Sequence, residues 1–408
     1  MNSQGSTNRL SAFRKLNRVL IFTVSAGDGH TRAAQAVKKQ ILENYPEAQV
    51  SIVDTFRYAS PMVEKMVLGA YLEIIKISPM VYGYFYYRAE KTQPLSGFAK
   101  MEFNRIINKL AAPKLMSLIS SMQPQAILCT HPFPLGILSS LKIRGKLDIP
   151  LLATITDFTV HPFWVYSAVD YYCVASEELK PSFIRHGVSS DRLAATGIPI
   201  DPLFRRMESK EQLNKRLGLS NDLPTILVMG GGLGMGPLEE VVQTLDTRQC
   251  QLLVVCGRNK SLKNKIDIIA NQMGRNVHVY SFVSNIHELM GAADLMVTKA
   301  GGLTCSEALA LGLPLFITDP IPGQEERNTE FLVNQGAAVA IKDSKHLLTE
   351  INKYIHNPHR VNELTKAAIK IGRPNSARVV MNLMQQMVNS DKQAAGGNNL
   401  VQGNREAE

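Results

Sequence analysis

The sequence predicts an α/β protein made of two doubly wound parallel sheets, each covered by helices on both faces. Three observations predict it. Short β-branched or apolar runs alternate with amphipathic helical stretches along most of the chain, the pattern of parallel strands buried on two sides. A length of 408 residues at 45% hydrophobic content is enough for two buried cores. The run Gly197-Ile198-Pro199-Ile200-Asp201-Pro202 carries two prolines that remove backbone donors and stiffen the chain, so a joint is expected within 198–222.

The first sheet opens with a strand over 18–24, passes through the loop Ser25-Ala26-Gly27-Asp28-Gly29-His30, and continues into a helix from Thr31 to about Tyr45. Its later strands are expected at 49–54, 126–130, 151–156, 171–175 and 192–197. The second sheet opens at 225–230, followed by a glycine-rich turn and a helix from Pro237; its other strands are expected at 251–256, 277–280, 295–298 and 314–317. From about Ser376 to Met387, the residues Val379, Val380, Leu383, Met384 and Met387 recur at helical spacing and define one buried face. Past Asp391 the composition turns to Lys, Gln, Ala, Gly, Asn and Glu, which supply no core, so disorder is expected there. The expected division is 1–200, 201–375, a helix over 376–391 packing back across both units, and a disordered tail over 392–408.

The stretch 58–87 breaks the α/β pattern, with six of the twelve tyrosines, three methionines, four charged side chains, and interruptions at Pro61 and Pro79. It suits a helical pair packed on the first sheet, or a lip that meets lipid with its tyrosines at the boundary between apolar and wet. Lys91, Lys100, Arg105, Lys109 and Lys114 follow it. The first 205 residues carry 23 Lys+Arg against 15 Asp+Glu, the remainder 22 against 20. An anionic membrane surface fits this excess better than nucleic acid, for which no interleaved Arg/aromatic motif or zinc finger is present. A merely basic soluble surface is the plainer reading. No run of about 18 apolar residues exists and the start lacks the apolar centre of a signal peptide. A cytoplasmic protein, peripheral on the inner face of the cell membrane, is expected. Cys129, Cys173, Cys250, Cys256 and Cys305 form no CxxC pair and no His spacing suits zinc, so buried reduced thiols and no metal site are expected.

The clearest chemistry lies in Lys299-Ala300-Gly301-Gly302-Leu303-Thr304-Cys305-Ser306-Glu307. Gly301 and Gly302 after an apolar strand let backbone N–H groups approach a diphosphate at a helix N-terminus, Thr304 and Ser306 add hydroxyl donors, and Glu307 can accept from a ribose. Gln324, Glu325 and Asn328, after the strand at 314–317, are candidates for sugar hydroxyls. Gly231 and Gly232 belong to a second glycine turn suited to phosphate, but its spacing fails G-x-G-x-x-G and the next strand ends Cys256-Gly257-Arg258 without a ribose carboxylate. A dehydrogenase is disfavoured, and without G-x-x-x-x-G-K-[ST] so is a P-loop enzyme. Arg258 is a candidate border of the nucleotide. No D-x-D occurs, so helix dipoles and amides are expected to stabilise a leaving diphosphate. In the first half, Asp28 and Gly29 bring the backbone near a ligand, and His30 is a candidate base because a neutral imidazole takes a hydroxyl proton near pH 7. His131, Asp157 and His161 follow strands of the same sheet and share its rim, with Trp164 beside them; Asp157 can orient a histidine or act as base. Singly, these side chains also read as helix caps and packed aromatics.

In order along the chain, SAGDGH, TDFTVHPFW, TGIPIDPLF, VVCGRN, KAGGLTCSEAL and PIPGQEERN span about Val19 to Arg373. Through them the sequence resembles the diacylglycerol glycosyltransferases: the processive glucosyltransferases of Gram-positive bacteria and the plant monogalactosyldiacylglycerol synthases. The resemblance implies a GT-B fold, two Rossmann-like domains facing a cleft, and inverting transfer of glucose or galactose from a UDP-sugar to diacylglycerol. It implies no cofactor, and allows activation by anionic lipid. By motif match Gly301, Gly302, Glu307, Gln324, Glu325 and Asn328 would hold the donor, while His30 and Asp157 would face the acceptor hydroxyl. The loop GDGH departs from the three glycines that precede the histidine in the plant enzymes. Alternatives on the same fold are the N-acetylglucosamine transferase acting on the lipid-linked peptidoglycan precursor, a UDP-N-acetylglucosamine epimerase, and a non-catalytic UDP-sugar-sensing protein.

Overall fold

The computed structural model describes residues 15–25, 27–59, 111–206, 208–274 and 276–402, with side chains to Ser390. The tyrosine-rich stretch beyond Ala59, and Lys91, Lys100, Arg105 and Lys109 after it, lie outside the described residues.

Two six-stranded parallel sheets form two lobes. The first contains β1 (Arg18–Thr23), β2 (Gln49–Asp54), β3 (Ala126–Cys129), β4 (Leu151–Thr154), β5 (Tyr171–Val174) and β6 (Leu193–Ala195) in the spatial order β2-β1-β3-β4-β5-β6. The second contains β7 (Thr225–Met229), β8 (Gln251–Val255), β9 (Val277–Tyr280), β10 (Leu295–Thr298), β11 (Leu315–Ile317) and β12 (Ala338–Ala340) in the order β12-β11-β10-β7-β8-β9. The central strands are apolar on both faces, as β1 and β3 show: Val19 to Phe22 and Ala126 to Cys129 are fully buried, paired Val19 to Ala126 through Phe22 to Cys129. Strand order reverses between β1 and β3 and between β7 and β10, and ligands bind beyond the carboxyl ends of strands at such reversals. β12, three residues of Ala-Val-Ala, has no counterpart in the sequence expectation because so short a run carries no periodicity.

The chain crosses between lobes twice, at neighbouring places. After β6, Gly197 takes a left-handed φ of 82° with the Arg373 side chain packed against its α-carbon, and the Ile200 N–H donates to Ser376 Oγ at 3.2 Å. Ser209 and Gln212 then form a reciprocal cap that starts the Lys210–Leu217 helix of the second lobe. The return crossing leads into the Ser376–Gln402 helix. Its Val380, Met381, Met384, Met387 and Val388 join a first-lobe cluster that includes Leu16, Val19, Ile21, Val37 and Ile41. This helix continues to Gln402, so residues 392–402 extend it where disorder was expected; polar residues at its end prolong its backbone without needing a core. Residues 403–408 lie outside the described residues. No helix among the described residues is long and apolar enough to cross a membrane.

The lobes touch through apolar and polar groups. One buried cluster joins Ala33 and Phe158 of the first lobe to Leu303 and Cys305 of the second. The Phe158 and Phe331 rings stack across the joint at 5.2 Å.

Candidate active site between the lobes

A cavity of about 220 Å³ lies where the carboxyl ends of β1 and β4 face those of β7 and β10. On the first-lobe side, helix α1 (Asp28–Asn44) begins at Asp28, three residues before the expected start. Gly27 precedes it with φ 98°, a conformation open to glycine, so Asp28, Gly29 and His30 form the first helical turn instead of a loop. All three line the cavity.

His30 is held by the ends of the neighbouring strands. Its Nδ1 lies 2.7 Å from the Thr130 carbonyl, just after β3, and 2.9 Å from Thr156 Oγ1, after β4. A carbonyl only accepts, so Nδ1 carries the proton and Nε2 is left as the basic nitrogen. Burial lowers the His30 pKa below its ordinary value, opposed by the negative charge of Asp157 and by the bond to Thr130. A neutral imidazole at physiological pH follows. Asp157 does not orient His30 through a hydrogen bond: its Oδ1 accepts from Asn328 Nδ2 at 3.2 Å, because the loop after β4 turns it toward the other lobe.

The other rim residues part company with the expectation of acceptor contact. His131 is packed edge-on behind His30 at 4.6 Å, and its Nδ1 accepts from the Phe133 N–H as the cap of the Pro132–Ile143 helix. Burial and the neighbouring His30 push its pKa well down. His161 likewise caps the turn Pro162–Trp164 by accepting from the Phe163 N–H, and Trp164 is in the first-lobe core. None of the three lines the cavity. Capping and packing account for their places.

On the second-lobe side the helix Gly302–Ala310 follows β10, with Gly301 as its N-cap, so its free first-turn amides stand at the cavity wall formed by Gly301, Gly302, Leu303 and Thr304. Gly302 lies so close to the Thr156 carbonyl that a β-carbon would collide with it. Gly230, Gly231, Gly232, Leu233 and Met235 form another wall, and Gln324, at the start of the Gln324–Asn334 helix, a third.

Several expected donor contacts have other partners. Ser306 Oγ donates to the Gly302 carbonyl one turn back, at 2.9 Å. Glu307 is 1% exposed and does not line the cavity; Oε1 pairs with Arg32 Nη2 at 2.9 Å while Oε2 has no partner among the described residues. Burial lifts its carboxyl to about 7 in spite of Arg32. Glu325 lines the cavity but is held on both oxygens, by Lys299 Nζ and by the Ile321 N–H, each at 2.9 Å. Asn328 is fully buried: Oδ1 accepts from the Phe158 N–H at 2.8 Å, and Nδ2 donates to Asp157 Oδ1 and to the Ala300 carbonyl at 3.0 Å. It ties the lobes together, with both amide hydrogens engaged. Arg258 stands outside the cavity, half exposed, paired with Asp28 and lying 4.3 Å over the Phe282 ring.

Sequence reasoning passed over Arg32 and Thr156 as functional side chains. Thr156 is visible only as the residue before Asp157, and Arg32 only as a cation two residues beyond His30. Among the described residues no three His, Cys, Asp or Glu side chains converge as a metal site.

Comparison with known proteins agrees with this arrangement. The monogalactosyldiacylglycerol (MGDG) synthase family model matches residues 30–200, and that of the glycosyltransferase family 28 C-terminal domain matches residues 225–380. The processive diacylglycerol beta-glucosyltransferase of Bacillus subtilis is 30% identical over 366 residues, covering 89% of this chain and 94% of the relative. Two solved structures share the fold. MurG of Acinetobacter baumannii superposes with a TM-score of 0.59 at 17% identity, covering 91% of this chain and 99% of that one. The S. aureus MnaA–UDP complex gives 0.61 at 12% identity, covering 91% and 97%. Two Rossmann-like domains about a cleft, the GT-B architecture, are thus common to all three. With both halves matched in order and the relative covered nearly end to end, the chain belongs to the diacylglycerol glycosyltransferase family.

Proposed function

We propose that this protein is an inverting glycosyltransferase that moves a hexose, glucose or galactose, from a UDP-sugar to diacylglycerol at a membrane surface, forming a β-glycosyldiacylglycerol. The observation that carries the reading is the facing, across one cavity, of a neutral His30 fixed through Nδ1 and the free amides of the Gly302–Ala310 helix. The family relationship supports the same substrates.

In the proposed step the acceptor hydroxyl gives its proton to His30 Nε2 as its oxygen bonds to the anomeric carbon. The bond from that carbon to the β-phosphate oxygen breaks, its electron pair staying on the departing UDP. Amides of the helix's first turn from Gly302 on, and of the glycine turn at Gly231 and Gly232, meet the diphosphate, while the Gly301 N–H is already given to the Lys299 carbonyl at 2.9 Å; Thr304 is a hydroxyl donor and Gln324 reaches the sugar. Asp157 raises the proton affinity of His30 by its charge, so that the base is stronger than burial alone would leave it. No resident metal or cofactor is assigned to this step. Docking on an anionic membrane surface, at the inner face of the cell membrane, belongs to the same reading, supported by the basic excess of the first 205 residues.

The test is UDP release from UDP-glucose or UDP-galactose by the full chain, with diacylglycerol in vesicles with and without phosphatidylglycerol, and the mass of the lipid product. A hexose added to diacylglycerol, unaffected by EDTA, is expected. A protein that binds UDP-sugar but glycosylates no lipid would instead be a sensor.

A further inference from the structure

We propose that Arg32 is a catalytic residue supplied by the first lobe: on donor binding its guanidinium leaves Glu307 for the diphosphate, and neutralises the charge that builds on the departing UDP. This rests on the reading of the cavity as a UDP-sugar site.

Arg32 lines the cavity from α1, two residues beyond His30, in the same lining as Gly301 and Gly302. Lys299 is the other cation in the lining, and its position is closed. It pairs with Glu325 within its own lobe, and both Glu325 oxygens are satisfied. The Arg32–Glu307 pair is open at both ends. Glu307 Oε2 is buried with no partner among the described residues, an arrangement that asks for a further donor such as a ribose hydroxyl. Among the described residues Arg32 makes one hydrogen bond, through Nη2, from a guanidinium that carries five N–H donors. Its side chain is 29% exposed against 2% for Glu307, so the guanidinium is the member of the pair with solvent to move through.

The exchange is chemically balanced. Arg32 lines the cavity where Glu307 does not, so the departing guanidinium uncovers the carboxylate to ribose hydroxyls, and Arg32 trades one carboxylate for diphosphate oxygens that it can grip with two parallel bonds. As the anomeric carbon–oxygen bond breaks, the electron pair stays on the β-phosphate beside Arg32, while the acceptor proton goes to His30 Nε2. Base and counter-charge would then sit on the same helical turn, so whatever positions one positions the other.

Arg32→Ala, Arg32→Lys and the double variant Arg32→Gln/Glu307→Gln test this by kcat at saturating UDP-hexose and by calorimetric affinity for UDP. The double variant leaves no carboxylate stranded, which separates a service to the leaving group from mere neutralisation of Glu307. Expected are a fall in kcat of about 10²-fold for both Arg32→Ala and the double variant, weaker UDP binding in both, and partial recovery in Arg32→Lys. Folded Arg32→Ala turning over within a few-fold of the parent, or recovery of the parent rate in the double variant, would overturn the assignment. Should the parent bind UDP yet glycosylate no diacylglycerol, the acceptor reading fails, and the UDP affinities still decide the role of Arg32.

Discussion

Asn328→Ala removes in one change three hydrogen bonds of a fully buried amide. Two of them, from the Phe158 N–H and to Asp157 Oδ1, join the lobes; the third reaches the Ala300 carbonyl within the second lobe. A buried group left without its partner costs roughly 1–3 kcal/mol. The two cross-lobe groups recover water when the lobes part, so their loss penalises the closed state alone, by about 2–6 kcal/mol. At about 1.4 kcal/mol per tenfold, the closed-to-open ratio falls between roughly 30-fold and 20,000-fold. Small-angle scattering reads this as a larger radius of gyration, and UDP-release kinetics as a lower kcat/KM. Asn328→Asp sharpens the test because it is nearly isosteric. It keeps the acceptor for Phe158 but turns an oxygen on Asp157 and on the Ala300 carbonyl, where repulsion replaces two hydrogen bonds. It should therefore be worse than Asn328→Ala at neutral pH. An Asn328→Asp protein as compact and as active as the parent would refute the clasp.

Other expectations concern the same joint. Thr156→Val removes one partner of His30 Nδ1 and leaves the Thr130 carbonyl, so kcat should fall about fivefold, the worth of roughly 1 kcal/mol, with donor KM unchanged; an equal change in KM would point to donor binding. Because burial lowers His30, the acid limb of the kcat profile should inflect below 6.5 and vanish in His30→Ala, whose residual rate should be flat there. Glu307 titrates at 4.5 unfolded and about 7 folded, so its stability contribution is full below 4.5 and lost as pH rises through 7. Glu307→Gln should thus gain on the parent between pH 5 and pH 8 by up to about 3 kcal/mol, read by thermal unfolding; an identical gap at both pH values would contradict the shift. Gly302→Ala sets a methyl against the Thr156 carbonyl and should cut kcat/KM about tenfold or more while UDP still binds the second lobe. Full activity in that variant would mean that the lobes need not approach this closely.

The fold was legible because parallel strands buried on both faces read as unbroken apolar runs; β1, β3, β7 and β8 are plain in the sequence for that reason. β12 was hidden by its three-residue length, and the helical continuation over 392–402 by a composition that offers no buried face. At the site, glycines announce themselves because backbone geometry needs them, as at Gly27 and Gly302. Partnerships do not. Nothing in the spacing says that Asn328 meets Asp157 across 171 positions, or that Glu307 meets Arg32 across 275. Those pairings exist only once two independently wound sheets are set face to face. The departures at Ser306, Glu325, His131 and His161 have a common cause too, since polar side chains beside strand and helix ends find backbone groups before they find ligands.

The final helix has a consequence for how the molecule is made. Val380, Met384 and Met387 cover the outer face of β1 and α1, so the first strand waits for residues made much later before its surface is sealed. During synthesis the amino-terminal half emerges with that oily seam bare. A product that stops at residue 375 would leave it bare for good, prone to stick to its own kind or to a chaperone.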